Sequence, residues 1–66
     1  MNLKEEFAFN IFDAHYKDLE TMVFVSTMDN TIAYANPAWL IIMGFSLEDI
    51  IGKNVFTTLI AILTPV

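Results

Sequence analysis

The sequence predicts an α+β fold: an amphipathic N-terminal helix, an antiparallel β-hairpin, then three short helices. Three observations predict it. Apolar residues recur at helical spacing through residues 3–19. Two short β-rich runs flank Asp29-Asn30, a pair of residue types that tolerate positive φ. Beyond them the chain is punctuated by Asn36-Pro37, Gly44, Ser46, Gly52 and Asn54, the residue types that start and stop helices.

Asn2 is placed to cap the first helix, with Glu5 in the capping-box position and Glu6 also in the first turn. Glu6, Asn10, Asp13, Lys17 and Glu20 form one polar stripe. Leu3, Phe7, Ala8, Ile11, Phe12, His15 and Leu19 fill a wide opposite face. That face is wider than one contact requires. The helix, assigned to residues 1–20, is expected to pack on the body, residues 21–66, and also on a partner.

Residues 22–28 carry β-branched and aromatic side chains and read as a strand, and residues 31–35 return from it. A two-residue turn at Asp29-Asn30 sets Met28 opposite Thr31, Thr27 opposite Ile32 and Val25 opposite Tyr34. One face then carries Val23, Val25, Thr27, Ile32 and Tyr34; the other carries Phe24, Ser26, Met28, Ala33 and Ala35. Neither face is polar, so both are expected to be covered.

Asn36 caps the next helix and Pro37 opens it, since proline has no N–H to lose at a first helical position. Residues 38–43 are apolar nearly all round, which predicts burial on several sides before Gly44 ends the helix. Ser46 caps a turn over 47–51, with Asp49 three residues on, and Gly52 is expected at positive φ behind it. Asn54 starts a last helix reaching residue 63, and Pro65 closes the chain.

Composition removes several functions. Sixty-six residues allow one small domain with a marginal core. The absence of cysteine excludes disulfides, cysteine metal ligands and thiol nucleophiles. A single histidine lacks the suitably spaced carboxylates a zinc site would need. A net charge of −5, with three lysines and no arginine, argues against nucleic acid and anionic membranes as partners. The longest apolar stretches, 37–45 and 59–63, are too short to span a bilayer. The acidic start is unlike a signal peptide, so a cytoplasmic module is expected. A hydrophobic content of 56% predicts apolar surface that something beyond the chain itself must cover.

The ordered set Asp29, Tyr34, Asn36-Pro37-Ala38, Gly44-Phe45-Ser46 and Gly52-Lys53 closely resembles the N-terminal half of a PAS domain over about residues 20–59. That family supplies sensory modules to histidine kinases, cyclic-dinucleotide enzymes and transcription regulators. The resemblance implies a five-stranded antiparallel sheet with helices across one face, enclosing a small-molecule pocket. This chain would supply a truncated PAS-like version, with the first two strands and the helices but not the last three strands. The implied function is sensing of a small molecule or redox state, passed to an effector through the first helix and the sheet. A second reading is a ligand-free dimerisation fragment, or a truncated domain without function. The strand over 22–28 would lack its neighbour, so self-association through that edge or through the first helix is expected.

The resemblance makes the face bearing Val25, Thr27, Ile32 and Tyr34 the helix-covered, pocket-lining one, with Trp39 and Val55 as further lining. Tyr34 and Thr27 are its polar groups, able to hydrogen-bond a ligand; the tyrosine could equally aim at solvent or backbone. Trp39 reads more readily as core packing than as a stack on a planar cofactor. His15 reads as a packed residue rather than a haem or metal ligand. Haem-binding relatives use a histidine on a long connecting helix that this chain would lack. Flavin-adduct relatives, the LOV domains, use a cysteine where Asn54-Val55 stands here, and valine offers no nucleophile. Covalent flavin is thereby excluded, while non-covalent flavin stays open. Glu48 and Asp49 read as stabilisers of a helix N-terminus rather than an acid–base pair. With no phosphate loop, serine–histidine pair or basic patch, no enzyme is predicted.

Overall fold

Asn2 opens the first helix as its side chain requires: it accepts the Glu5 N–H at 2.9 Å while Glu5 accepts the Asn2 N–H at 3.3 Å. The computed structural model describes residues 2–63. The elements run α1 (Leu3–Tyr16), β1 (Phe24–Ser26), β2 (Ile32–Ala35), α2 (Pro37–Met43), α3 (Leu47–Ile50) and α4 (Val55–Leu63). Every expected element is present, in the expected order, and the α+β arrangement stands. Pro65 lies outside the described residues.

The hairpin register departs from expectation at its turn. Phe24 faces Ala35 and Val25 faces Tyr34, as expected, but Ser26 faces Ile32 rather than Ala33. The loop holds three residues, not two: the Asn30 N–H donates to the Thr27 carbonyl at 3.0 Å and the Thr27 N–H donates to the Thr31 carbonyl at 2.8 Å. Only Asn30 takes positive φ, at 64°. A turn closed by one left-handed residue is the ordinary three-residue alternative to the tight hairpin. The pairs Met28–Thr31 and Thr27–Ile32 therefore do not form. Ala33 becomes the extra residue of a β-bulge. Both strands are also shorter than expected: the three-residue loop takes the turn end out of each, and β1 begins only at Phe24.

The bulge changes what faces what. Ile32 and Ala35 join Trp39, Ile50 and Val55 in the buried cluster beneath α2, α3 and α4. Tyr34 turns the other way, under α1, against the rings of Phe9, Phe12 and Tyr16. The expectation that Ile32 and Tyr34 share a face is overturned; the expectation that both faces are covered holds for β2 but not for β1 and its turn, where Phe24, Ser26, Thr27 and Met28 are exposed. The outer edge of β2 is occupied as well, with the Ile32 N–H donating to the Lys53 carbonyl at 2.9 Å and the Gly52 N–H donating to the Ile32 carbonyl at 3.0 Å. Among the described residues no strand pairs with the other edge of β1.

The helix ends follow their punctuation. Gly44 and Gly52 adopt φ of 79° and 81°, left-handed values that end α2 and the turn after α3 at no steric cost. α3 stops at Ile50, one residue early, because Ile51 is already extended. α2 is buried on one side only: Trp39 is enclosed while Ile41 and Ile42 are exposed. The packing side of α1 is also not the one its apolar pattern suggested. Phe9, Phe12 and Tyr16 face the sheet, with Asp13 drawn in by Tyr34, while Leu3, Phe7 and Ile11 stand exposed.

Asn36 holds these parts together. It is wholly buried. Its Oδ1 accepts the N–H groups of Trp39 and Val23, each at 3.0 Å. Its Nδ2 donates to the carbonyls of Thr21 at 2.8 Å and Tyr16 at 3.1 Å. One side chain thus caps α2, receives the end of α1, and pins the segment leading into β1.

Candidate functional site

A groove-like cavity of about 530 Å³ lies between the amino-terminal half of α1 and the turn end of the hairpin. Its apolar wall comprises Ala8 and Phe12 from α1, Val25 from β1, Ile32 from β2, and Ile51. Asn2, Lys4, Glu5, Ser26, Thr27 and Thr31 add polar groups, with one charge of each sign. The volume falls within the range of small-molecule sites, about 300–1,000 Å³. The local sequence explains the space. Ala8 is the small residue where α1 passes over the hairpin, and the bulge at Ala33 bends β2 beside it.

The structure gathers Val25, Thr27 and Ile32 at this cavity, but not Tyr34, Trp39 or Val55. Thr27 is partly committed, since its hydroxyl donates to Asp29 and accepts the Thr31 N–H at 3.2 Å. Those hydroxyl contacts, led by Thr27, hold the Asp29 carboxyl below its ordinary titration range. Trp39 stacks on Phe45 with ring centroids 6.1 Å apart and lies tilted to Phe24 at 6.3 Å, inside the core. Val55 is core too. His15 is exposed beside the Tyr16 ring rather than packed, because α1 turns its Phe9–Phe12–Tyr16 side inward. Asp49 accepts from the Ser46 hydroxyl at 2.6 Å, a helix-start arrangement with no reacting partner.

Sequence reasoning missed Ile51 and the α1 contributors Ala8 and Phe12 as cavity walls. Ala8 and Phe12 had a signal, as apolar residues on α1. Ile51 had none, since its place depends on the path of residues 51–55 along β2.

Tyr34 is the most perturbed group nearby. Its phenol donates to Asp13 Oδ1 at 2.9 Å, in a ring site with no exposed surface. Burial first, then the Asp13 hydrogen bond and charge, pushes its titration well above the ordinary value of 10. The sign follows from linkage. Below pH 10 the phenol is protonated in both folded and unfolded chains, and its stabilisation is complete. Above pH 10 the unfolded phenol ionises while the folded one keeps its proton, so stability falls as pH rises. Tyr34→Phe is expected to cost about 1.5–3 kcal/mol at pH 8, the loss of one hydrogen bond to a carboxylate. Urea unfolding at pH 8 and 11 should show the gap between parent and variant narrowing at the higher pH. A constant gap would show that the phenol is not held in its neutral form.

Among the described residues no group of three or more histidine, aspartate or glutamate side chains is placed to hold a metal ion. No described helix is long and apolar enough to cross a membrane. In comparison with known proteins, a family model described as PAS fold matches residues 10–62, from within α1 to near the end of α4. No curated protein and no solved structure matches the chain.

Proposed function

The chain belongs to the PAS fold family, and from that premise we propose that it is a non-catalytic sensory module whose α1–hairpin cavity takes a small, largely apolar molecule. PAS domains are in general modules of sensing and signalling. The observation that carries the finer reading is the cavity itself, apolar inside and walled on one side by a single helix. α1 touches the rest of the fold mainly at β2, so a molecule entering between α1 and the hairpin would bear on the helix directly. The helix would hand that change to an effector, as in a two-component sensor kinase or a transcription regulator. A charge of −5 with three lysines favours protein partners over nucleic acid or anionic membranes, and suits a cytoplasmic setting.

The test is occupancy of the cavity. Anilinonaphthalene sulfonate should bind the native protein at one site, with a fluorescence rise that saturates. Ala8→Trp, which fills the space from the α1 side, should weaken that binding at least about tenfold, a loss of about 1.4 kcal/mol. Far-UV circular dichroism should confirm that the variant keeps its helices. Equal binding by parent and variant would place the dye elsewhere and remove the cavity from the reading.

The second reading, a ligand-free dimerisation module, is favoured by a different observation: the apolar side of α1 that faces away from the body.

A further inference from the structure

We propose that the molecule taken by the α1–hairpin cavity is an amphipathic monocarboxylate, its aliphatic chain lying against Ala8 and Phe12 and its head held by Lys4. The inference rests on the cavity being a ligand site and adds the chemical class of the ligand.

Lys4, Ala8 and Phe12 follow one another at steps of four residues, so they stand one above the other on a single side of α1. All three line the cavity. Polarity along this row runs one way. Phe12 is half-buried and its ring meets that of Tyr34, which makes the inner end apolar. Ala8, in the middle, is also half-buried, and its small side chain leaves room for a chain of methylenes. Lys4 is exposed at the outer end. Val25 and Ile51 add further apolar wall. An apolar slot with one charged group at its mouth suits a molecule that has an apolar chain and a single charged head.

The charged groups at the mouth set the sign of that head. Of the three lysines in the chain, Lys4 is the one at the cavity. It stands in the first turn of α1, where the helix dipole disfavours a cation and where Glu5 and Glu6 follow the usual acidic preference. The helix gains nothing from a cation there, whereas an anionic head does. Two carboxylates belong to the same region. Glu5 lines the cavity but accepts the Asn2 N–H in the capping box, and Asp29 at the hairpin turn accepts from the Thr27 hydroxyl. Both therefore have donors within the fold. They also limit the site to a single negative charge. A phosphate monoester carries nearly two and would meet one cation among two carboxylates. A cationic head would meet Lys4 itself, and a neutral head would gain no ion pair from it.

Titration of the isotope-labelled full chain with octanoate, octanol and octyl phosphate, followed by nuclear magnetic resonance, tests the assignment. Octanoate should shift the amides of Lys4, Ala8 and Thr31 and saturate. Lys4→Met keeps an unbranched side chain and removes the charge. It should weaken octanoate about fivefold, the upper end for an exposed ion pair, and leave octanol within about twofold. Its melting temperature should match the parent's, because Lys4 is exposed. Lys4→Arg should bind octanoate as the parent does, and added salt should narrow the gap between parent and Lys4→Met. Octanoate binding indifferent to Lys4→Met, octanol alone moving the cavity amides, or octyl phosphate binding the parent more tightly than octanoate would overturn the assignment and leave the cavity as a ligand site. Cavity amides unmoved by all three compounds, or shifts that persist unchanged in Ala8→Trp, would remove the cavity reading and this assignment with it.

Discussion

Asn36→Ala is expected to abolish cooperative folding at room temperature. Four partners depend on this side chain, the N–H groups of Val23 and Trp39 and the carbonyls of Tyr16 and Thr21. They belong to three separate stretches of chain, the end of α1, the segment leading into β1, and the start of α2. Alanine has no group to offer any of them. The site has no exposed surface at Asn36, so water does not reach in without opening the structure. Leaving a buried polar group unpaired costs about 1–3 kcal/mol, and two or three such groups together with the lost cap of α2 amount to at least about 4 kcal/mol. A small domain holds about 0.05–0.15 kcal/mol per residue, which for 66 residues leaves a total of similar size. Asn36→Asp separates the two halves of the effect. It keeps the acceptor for Val23 and Trp39 but sets a carboxylate oxygen against two carbonyls, so it too should destabilise, although α2 keeps its cap. Urea unfolding followed by circular dichroism is the measurement. An alanine variant within about 1 kcal/mol of the parent would show that these hydrogen bonds contribute little net stability.

Asn36 also marks the boundary of what a single sequence discloses. Asparagine before proline announces a helix start, and that role is present in the hydrogen bond to the Trp39 N–H. The other three bonds reach 13 to 20 residues back along the chain. No local pattern encodes such partners. The hairpin shows the same division. Asp29-Asn30 marks a turn, and a turn is there, but two-residue and three-residue loops draw on the same residue types. The choice between them moved Ile32 to the core and left Tyr34 beneath α1. That one-residue difference split the expected pocket face in two. Val25 and Thr27 line the cavity, Ile32 borders it from the core, and Tyr34 packs on the α1 rings beside it instead. The first helix misled for a related reason. Its apolar residues cover most of its circumference, so the wheel alone does not say which arc meets the sheet. The tyrosine decides: its hydroxyl needs a partner once buried, and Asp13 supplies one from the arc that packs.

Trp39→Ala is expected to be the other severe loss, at about 3–5 kcal/mol, the usual cost of truncating a buried aromatic residue to alanine. Trp39 is 4% exposed and sits among Ile32, Ala35, Ile50 and Val55, the buried cluster that joins β2 to α2, α3 and α4. It contacts the rings of Phe24 and Phe45 as well. With the indole gone, the three short helices lose their common anchor, and none is long enough to persist alone. Trp39→Phe should restore most of the lost stability, since a smaller ring still fills much of the site. That rescue separates core packing from cofactor stacking. A core role predicts the order parent, phenylalanine, alanine in melting temperature, with dye binding at the α1–hairpin cavity retained by the phenylalanine variant. Loss of dye binding in a phenylalanine variant that melts like the parent would instead assign Trp39 to the ligand. The tryptophan reports on the outcome itself. It is the only one in the chain, and in the folded parent its emission should be blue-shifted and shift to the red in one step as the core around it opens.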